Sequence, residues 1–349
     1  MAEILVMGIT HFPALATPDE VMTGFIPLML KNPKLPADLR DPKNWPGPMR
    51  EEWGADAGVS AAKRHRAELV DWMGKCRSAL DEFAPDFVLI WGDDQYENFK
   101  EDVVPAYCVN AHAEFNYHPP KRNVWNEEAG TTFRLPGARD AGKHLATKLI
   151  EAGFDTAYSY KPLHDDLGHA FANVLLFLDY ERRGIAYPIL PVSLNSYGRR
   201  VICQKGGFPD FSVDPDLLSF DPPGPTPWRL YDMGAETARI LVASPWRVAI
   251  IASSGWSHGF LTPKNNYLFP DVAADRKLFD ALANGDYATW RRWPAAAIED
   301  SGQQEVLNWM CLAGALDALG RGPGVTHFME TWIFNSSKVF LISPPEVTQ

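Results

Sequence analysis

What most limits the folds open to this chain is a set of short runs in which apolar residues follow one another without polar alternation. Leu5-Val-Met7, Phe87-Val-Leu-Ile-Trp91, most of Ile185 to Val192, and Val248 to Ile251 are of this kind. A strand wetted on one face alternates, so unbroken runs predict strands covered on both faces. The segments between them carry helical spacing. Val59 to Phe83 repeats Leu69, Trp72, Met73 and Leu80 among charges, and Arg139 to Ala152 sets Leu145, Leu149 and Ile150 on one side. Ala170 to Leu178 and Arg229 to Leu241 also read as helices, and two or three more fit between Val272 and Leu319. This alternation predicts an α/β fold, a single domain over 1–349 with a central mixed, mostly parallel sheet flanked by helices. Further extended segments are expected at Val103 to Val109, Thr331 to Phe334 and Val339 to Ile342, and one short helix near Pro18 to Leu30. Asn110 to Arg134 reads as irregular, and the Gly- and Pro-rich stretch Tyr197 to Pro227 as an inserted surface excursion.

Composition narrows the function. Hydrophobic residues make up 46% and charged residues 22%, enough apolar material for a sizeable core. With 12 Trp and 29 Pro, structured loops around aromatic-lined pockets are expected. A formal net charge of -11 without a basic run argues against nucleic acid and anionic membranes as partners. Cys76, Cys108, Cys203 and Cys311 form no Cys-x-x-Cys pair, and neither a signal segment nor an 18-residue apolar run is present. These features predict a soluble, reduced, cytoplasmic protein.

Ligands of open α/β sheets collect beyond the carboxyl ends of the strands. There the chain has His11, then Asp93-Asp94-Gln95, then His169, then His258. Glu305 adds a carboxylate on a late helix beside Val306, Trp309 and Met310, where a buried charge needs a partner or a cation. Imidazole and carboxylate donors with open positions suit a non-heme Fe(II) site, and spare histidines suit proton transfer near neutral pH. Plainer readings stand beside these. His11 and His258 would be ordinary loop residues, His169 a capping or core residue, and Glu305 a cap of its own helix. His65, within Lys-Arg-His-Arg, reads as part of a solvated face; His112 and His118 line a pocket or face water.

Several phrases, in order, resemble the class III extradiol ring-cleaving dioxygenases, the superfamily of the protocatechuate 4,5-dioxygenase β-subunit. Gly8-Ile-Thr-His-Phe-Pro-Ala-Leu15 is similar to the first metal-ligand motif. Asp86 to Phe99, then Val104-Pro-Ala-Tyr-Cys-Val109, resembles the second. Leu167-Gly-His-Ala-Phe171 and Ser254-Gly-Trp-Ser-His258 resemble the segments with the active-site histidines. Gly302-Gln-Gln-Glu-Val-Leu-Asn-Trp309 resembles the helix with the ligand glutamate. The resemblance implies an oxidoreductase that opens catecholic or aminophenolic rings with O2, as in aromatic-compound catabolism. His11 and Glu305 would be Fe(II) ligands, His258 the acid/base residue, and His169 a positioning and proton-transfer residue. It also implies a homodimer, with a small companion subunit in some relatives. The chain departs from the pattern at the second ligand, where Gln95 stands in place of histidine. A neutral amide oxygen is a harder donor than imidazole. Gln95 ligates nonetheless, Asp93 or Asp94 swings in, or His164, His112 or His65 fills the gap; another divalent metal is then open. The same departure leaves two other readings, non-oxidative (hydrolytic) chemistry on an altered metal site and an inactive ligand-binding homologue.

Overall fold

The computed structural model describes residues 2–207, 210–213 and 217–345. Its ten strands are β1 (Ile4–Ile9), β2 (Phe87–Asp93), β3 (Tyr107–Asn110), β4 (Glu114–Tyr117), β5 (Phe133–Pro136), β6 (Ala157–Ser159), β7 (Ile189–Leu194), β8 (Val248–Ser253), β9 (Val325–Met329) and β10 (Lys338–Ser343). Eight form one sheet in the order β6-β3-β7-β2-β8-β1-β10-β9, while β4 and β5 pair apart as a small hairpin. The centre, β7-β2-β8-β1, is parallel. Antiparallel pairings join β3 to β7, β10 to β1, and β9 to β10. The fold is therefore the expected α/β arrangement around a mixed, mostly parallel sheet.

Every residue of β1, β2, β7 and β8 is buried, as unbroken apolar runs require. Alternate side chains enter opposite layers. Leu5, Met7 and Ile9 pack with helices Val59–Phe83 and His169–Leu178, whereas Ile4 and Val6 pack with Arg139–Glu151, Pro227–Val242 and Val306–Ala318. Among the described residues, no helix is long and apolar enough to cross a membrane.

Several expectations needed correction. Asn110 to Arg134 is not wholly irregular, because it holds β4, whose partner β5 begins at Phe133. Each is four residues long and turns only one or two residues inward, too few to register as a period. β3 begins at Tyr107, after Pro105, which cannot donate to a ladder. Near the end, the outer strand is β9, and Thr331 to Phe334 is a compact turn. There the Thr331 hydroxyl accepts from the backbone N–H groups of Ile333 and Phe334, a local bond that competes with a sheet ladder. Four helices, not two or three, lie between Val272 and Ala318. The stretch after β7 is rooted in the interior, with Tyr197, Gly198 and Val201 buried; its residues 208–209 and 214–216 fall outside the described ones. His65 is buried too, its ring against Phe334 and Phe12, because that face of its helix meets the core and not solvent.

Candidate metal centre and active site

The carboxyl ends of the parallel strands open onto one pocket, and each delivers a polar side chain to it. Ile9 of β1 lies beside Ser253 of β8, so His11, two residues further on, meets the Ser253 side chain. The Ser253 hydroxyl donates to the Ala170 carbonyl at 2.6 Å. Toward His11 Nδ1, 2.8 Å away, the same oxygen acts as acceptor. With Nδ1 turned to Ser253, His11 presents Nε2 to Glu305 Oε2 at 3.1 Å. A proton or a cation between these two atoms holds them together.

Glu305 occupies the N-cap position of helix Val306–Ala318 but makes no side-chain cap. Its carboxylate turns into the pocket, accepting from Tyr197 Oη at 2.5 Å and from the Gly255 N–H at 2.7 Å. It also faces His258 Nε2 at 3.3 Å. Burial pushes the Glu305 carboxyl up, but the His258 and His11 imidazoles outweigh it and hold the group well below the usual carboxylate range. Burial lowers His258, with the Glu305 charge opposing it. Two glycines make this closeness possible. A Cβ at Gly255 would sit 2.8 Å from the His258 ring. Gly302, at φ +63°, turns the chain so that its carbonyl accepts from the His258 N–H at 2.8 Å. Asp275, fully buried, then joins the two loops, accepting from the Ser257 N–H at 2.9 Å and from Gln303 Nε2 at 2.8 Å.

On the far side, His169 opens helix His169–Leu178. Its backbone N–H and Nδ1–H both donate to Glu97 Oε1, at 2.7 and 3.1 Å. Burial draws the His169 pKa down, but the Glu97, Asp93 and Glu305 carboxylates outweigh it and push it up to about 10. Asp93 ends β2. Its Oδ1 accepts from Asn308 Nδ2 at 3.2 Å, while Oδ2 is buried with no partner among the described residues. Burial and the Glu305 charge push Asp93 up to about 7. One donor atom from each of His11, Asp93, His169 and Glu305 lies within 4.8 Å of every other. Two ligands on one divalent cation, each at about 2.1 Å, are at most about 4.2 Å apart, so small side-chain shifts would close the set on an ion. The inward-facing Nε2 of His11, the orphaned Asp93 oxygen and the crowded carboxylates all fit such an ion.

Of the residues expected at a site, His11, Gln95, His169, His258 and Glu305 line this one pocket, together with Phe12, Pro13, Tyr197, Phe260, Asn335 and Ser336. Gln95 is there by its side chain, with Nε2 donating to the Gly206 carbonyl at 2.6 Å. The other candidates are elsewhere. Asp94 accepts backbone N–H groups of Glu97, Asn98 and Phe99, His164 pairs with Asp102, His118 pairs with Asp166, and His112 bonds Ser159. Sequence reasoning missed Tyr197, Ser253 and Glu97. The first two end or follow a buried strand, but that position alone does not tell which side chain they would meet.

No family model matches the chain. Its curated relatives include enzymes named 2,3-dihydroxyphenylpropionate/2,3-dihydroxicinnamic acid 1,2-dioxygenase. That of Rhodococcus sp is 28% identical over 271 residues, covering 70% of this chain and 80% of the relative. That of Rhodococcus jostii is 26% identical over 273 residues, covering 70% and 80%. That of Cupriavidus necator is 25% identical over 285 residues, covering 75% and 86%. Over seven-tenths or more of its length, then, the chain is similar to dioxygenases named for dihydroxylated aromatic acids.

Proposed function

We propose that this chain is an extradiol-type ring-cleaving dioxygenase, dependent on Fe(II) or another divalent metal, that opens a catecholic or aminophenolic ring with O2. The observation that carries this reading is the meeting of His11, His169, His258 and Glu305 in one pocket at the strand ends. The likeness to named aromatic dioxygenases supports it. His11 and Glu305 would hold the cation. Once bound, such a metal brings a dihydroxylated ring and O2 together and stabilises developing negative charge.

The remaining work falls to the chain's own side chains. Phe12, Pro13 and Phe260 give the pocket apolar walls that suit an aromatic ring and exclude water. His258, buried beside Glu305, is positioned to take the proton of a ring hydroxyl at Nε2. His169, held by Glu97 through Nδ1, keeps a fixed orientation from which its other nitrogen passes a proton to the reacting groups. Tyr197 and the Gly255 N–H fix the Glu305 carboxylate.

The reading is tested by loading the protein with Fe(II) without air, adding 2,3-dihydroxyphenylpropionate, catechol or an aminophenol, and following O2 uptake. One O2 consumed per ring opened is expected. No uptake with any such ring would overturn the proposal, and hydrolysis indifferent to oxygen would replace it.

A further inference from the structure

Asp93 ends β2 and belongs to the donor cluster, Gln95 two residues on lines the pocket, and Asp94 between them is held in its ring of backbone N–H donors. The two respond to the pocket differently. Gln95 is taken up by a neighbour: its amide nitrogen bonds the Gly206 carbonyl, and its Cγ packs so closely there that a Cβ on Gly206 would lie 2.2 Å away. Asp93 lies deeper and is fully buried, with one oxygen held by Asn308 and the other free of any partner among the described residues. A buried carboxylate oxygen without a donor is costly unless a proton or a cation answers it. Asp93 belongs to the cluster in which one donor atom per residue lies within 4.8 Å of the others, whereas the Gln95 amide nitrogen is taken by the Gly206 carbonyl.

We infer that Asp93 is the third protein ligand of the cation, in place of the histidine for which Gln95 stands, giving an oxygen-rich set with His11 and Glu305. The inference rests on the proposed metal-dependent function. Two carboxylates neutralise a divalent ion that one carboxylate and two imidazoles leave positive. Replacing imidazole by carboxylate also moves the preference toward harder ions, so Mn(II) is held well. Gln95 becomes a rim residue that fastens the segment after β7 to the mouth of the pocket.

The test is titration of chelator-treated full-length protein with Mn(II), read by calorimetry and by electron paramagnetic resonance. Wild type is expected to take one Mn(II) per chain. Asp93→Asn, which keeps its shape and the bond from Asn308, should lose about tenfold or more in affinity, as should Glu305→Ala, while Gln95→Ala should stay within about threefold. Equal affinity in Asp93→Asn and wild type overturns the ligand assignment. If Glu305→Ala alone loses the ion, the metal-dependent reading survives that failure. If wild type takes up no Mn(II), Fe(II) or Zn(II), both fall. Should Asp93→Asn not fold, Asp93→Glu keeps the charge but lengthens the arm; an unchanged Mn(II) spectrum there would equally overturn the inference.

Discussion

At the scale of single residues, a serine hydroxyl decides which nitrogen of His11 meets the site, and a tyrosine and a backbone N–H decide where Glu305 points. Removing groups from this arrangement should separate roles. Glu305→Ala should lower divalent-metal affinity by about tenfold or more, whereas His258→Ala should leave metal content unchanged and cut kcat by roughly 100- to 10,000-fold. Metal analysis beside O2 uptake checks both. Asp275 makes a different prediction. Burial pushes its carboxyl up to about 8, above the unfolded value near 4. The unfolded chain therefore gives up this proton first, and stability falls as pH rises from about 4 to about 8. Asp275→Asn mimics the protonated form, so its Tm should vary less between pH 5 and 8 than that of wild type in parallel melts. The histidines and Glu305 were legible because they sit in phrases at strand and helix ends. Tyr197, Ser253 and Glu97 were not, since they act on another residue's orientation and the sequence marks no distance between them. His65 misled for a related reason: charged neighbours in sequence occupy other faces of the same helix.

Among the elements, the turn at 302–305 holds the site most tightly. Gly302 is in the left-handed region, and a Cβ there would lie 2.5 Å from Thr262 Oγ1 and 2.7 Å from the His258 carbonyl. Gly302→Ala should therefore cost on the order of 1–3 kcal/mol in urea unfolding and weaken metal retention, because it parts His258 from Glu305. Long elements were readable: helix Val59–Phe83 has the bounds its periodicity implied, and β2 and β8 extend theirs by two residues. Short ones were not. The hairpin of β4 and β5 and the outer strand β9 are four or five residues long and mostly half-exposed, too short and too wet to show a period. The turn 331–337 is shaped by tertiary contacts: Glu52 accepts from Thr331 and Trp332, while Lys338, fully buried, donates to the Phe334 and Ser336 carbonyls.

For the whole molecule, the homodimer that the resemblance implies is a mass of about twice 39.0 kDa in light scattering; a single mass would remove it. The sheet also carries a consequence for biosynthesis. β1 has neighbours on both sides, β8 and β10, and both are made only after residue 247. At about 5–20 residues per second, a ribosome needs roughly ten to fifty seconds between finishing β1 and delivering β8. Throughout that interval the earliest strand has nothing to pair with, and His11 has no Glu305 to face. A nascent chain consequently gathers the full set of His11, Asp93, His169 and Glu305 only once the ribosome has passed residue 305, so the donors come together after translation of the sheet and not strand by strand.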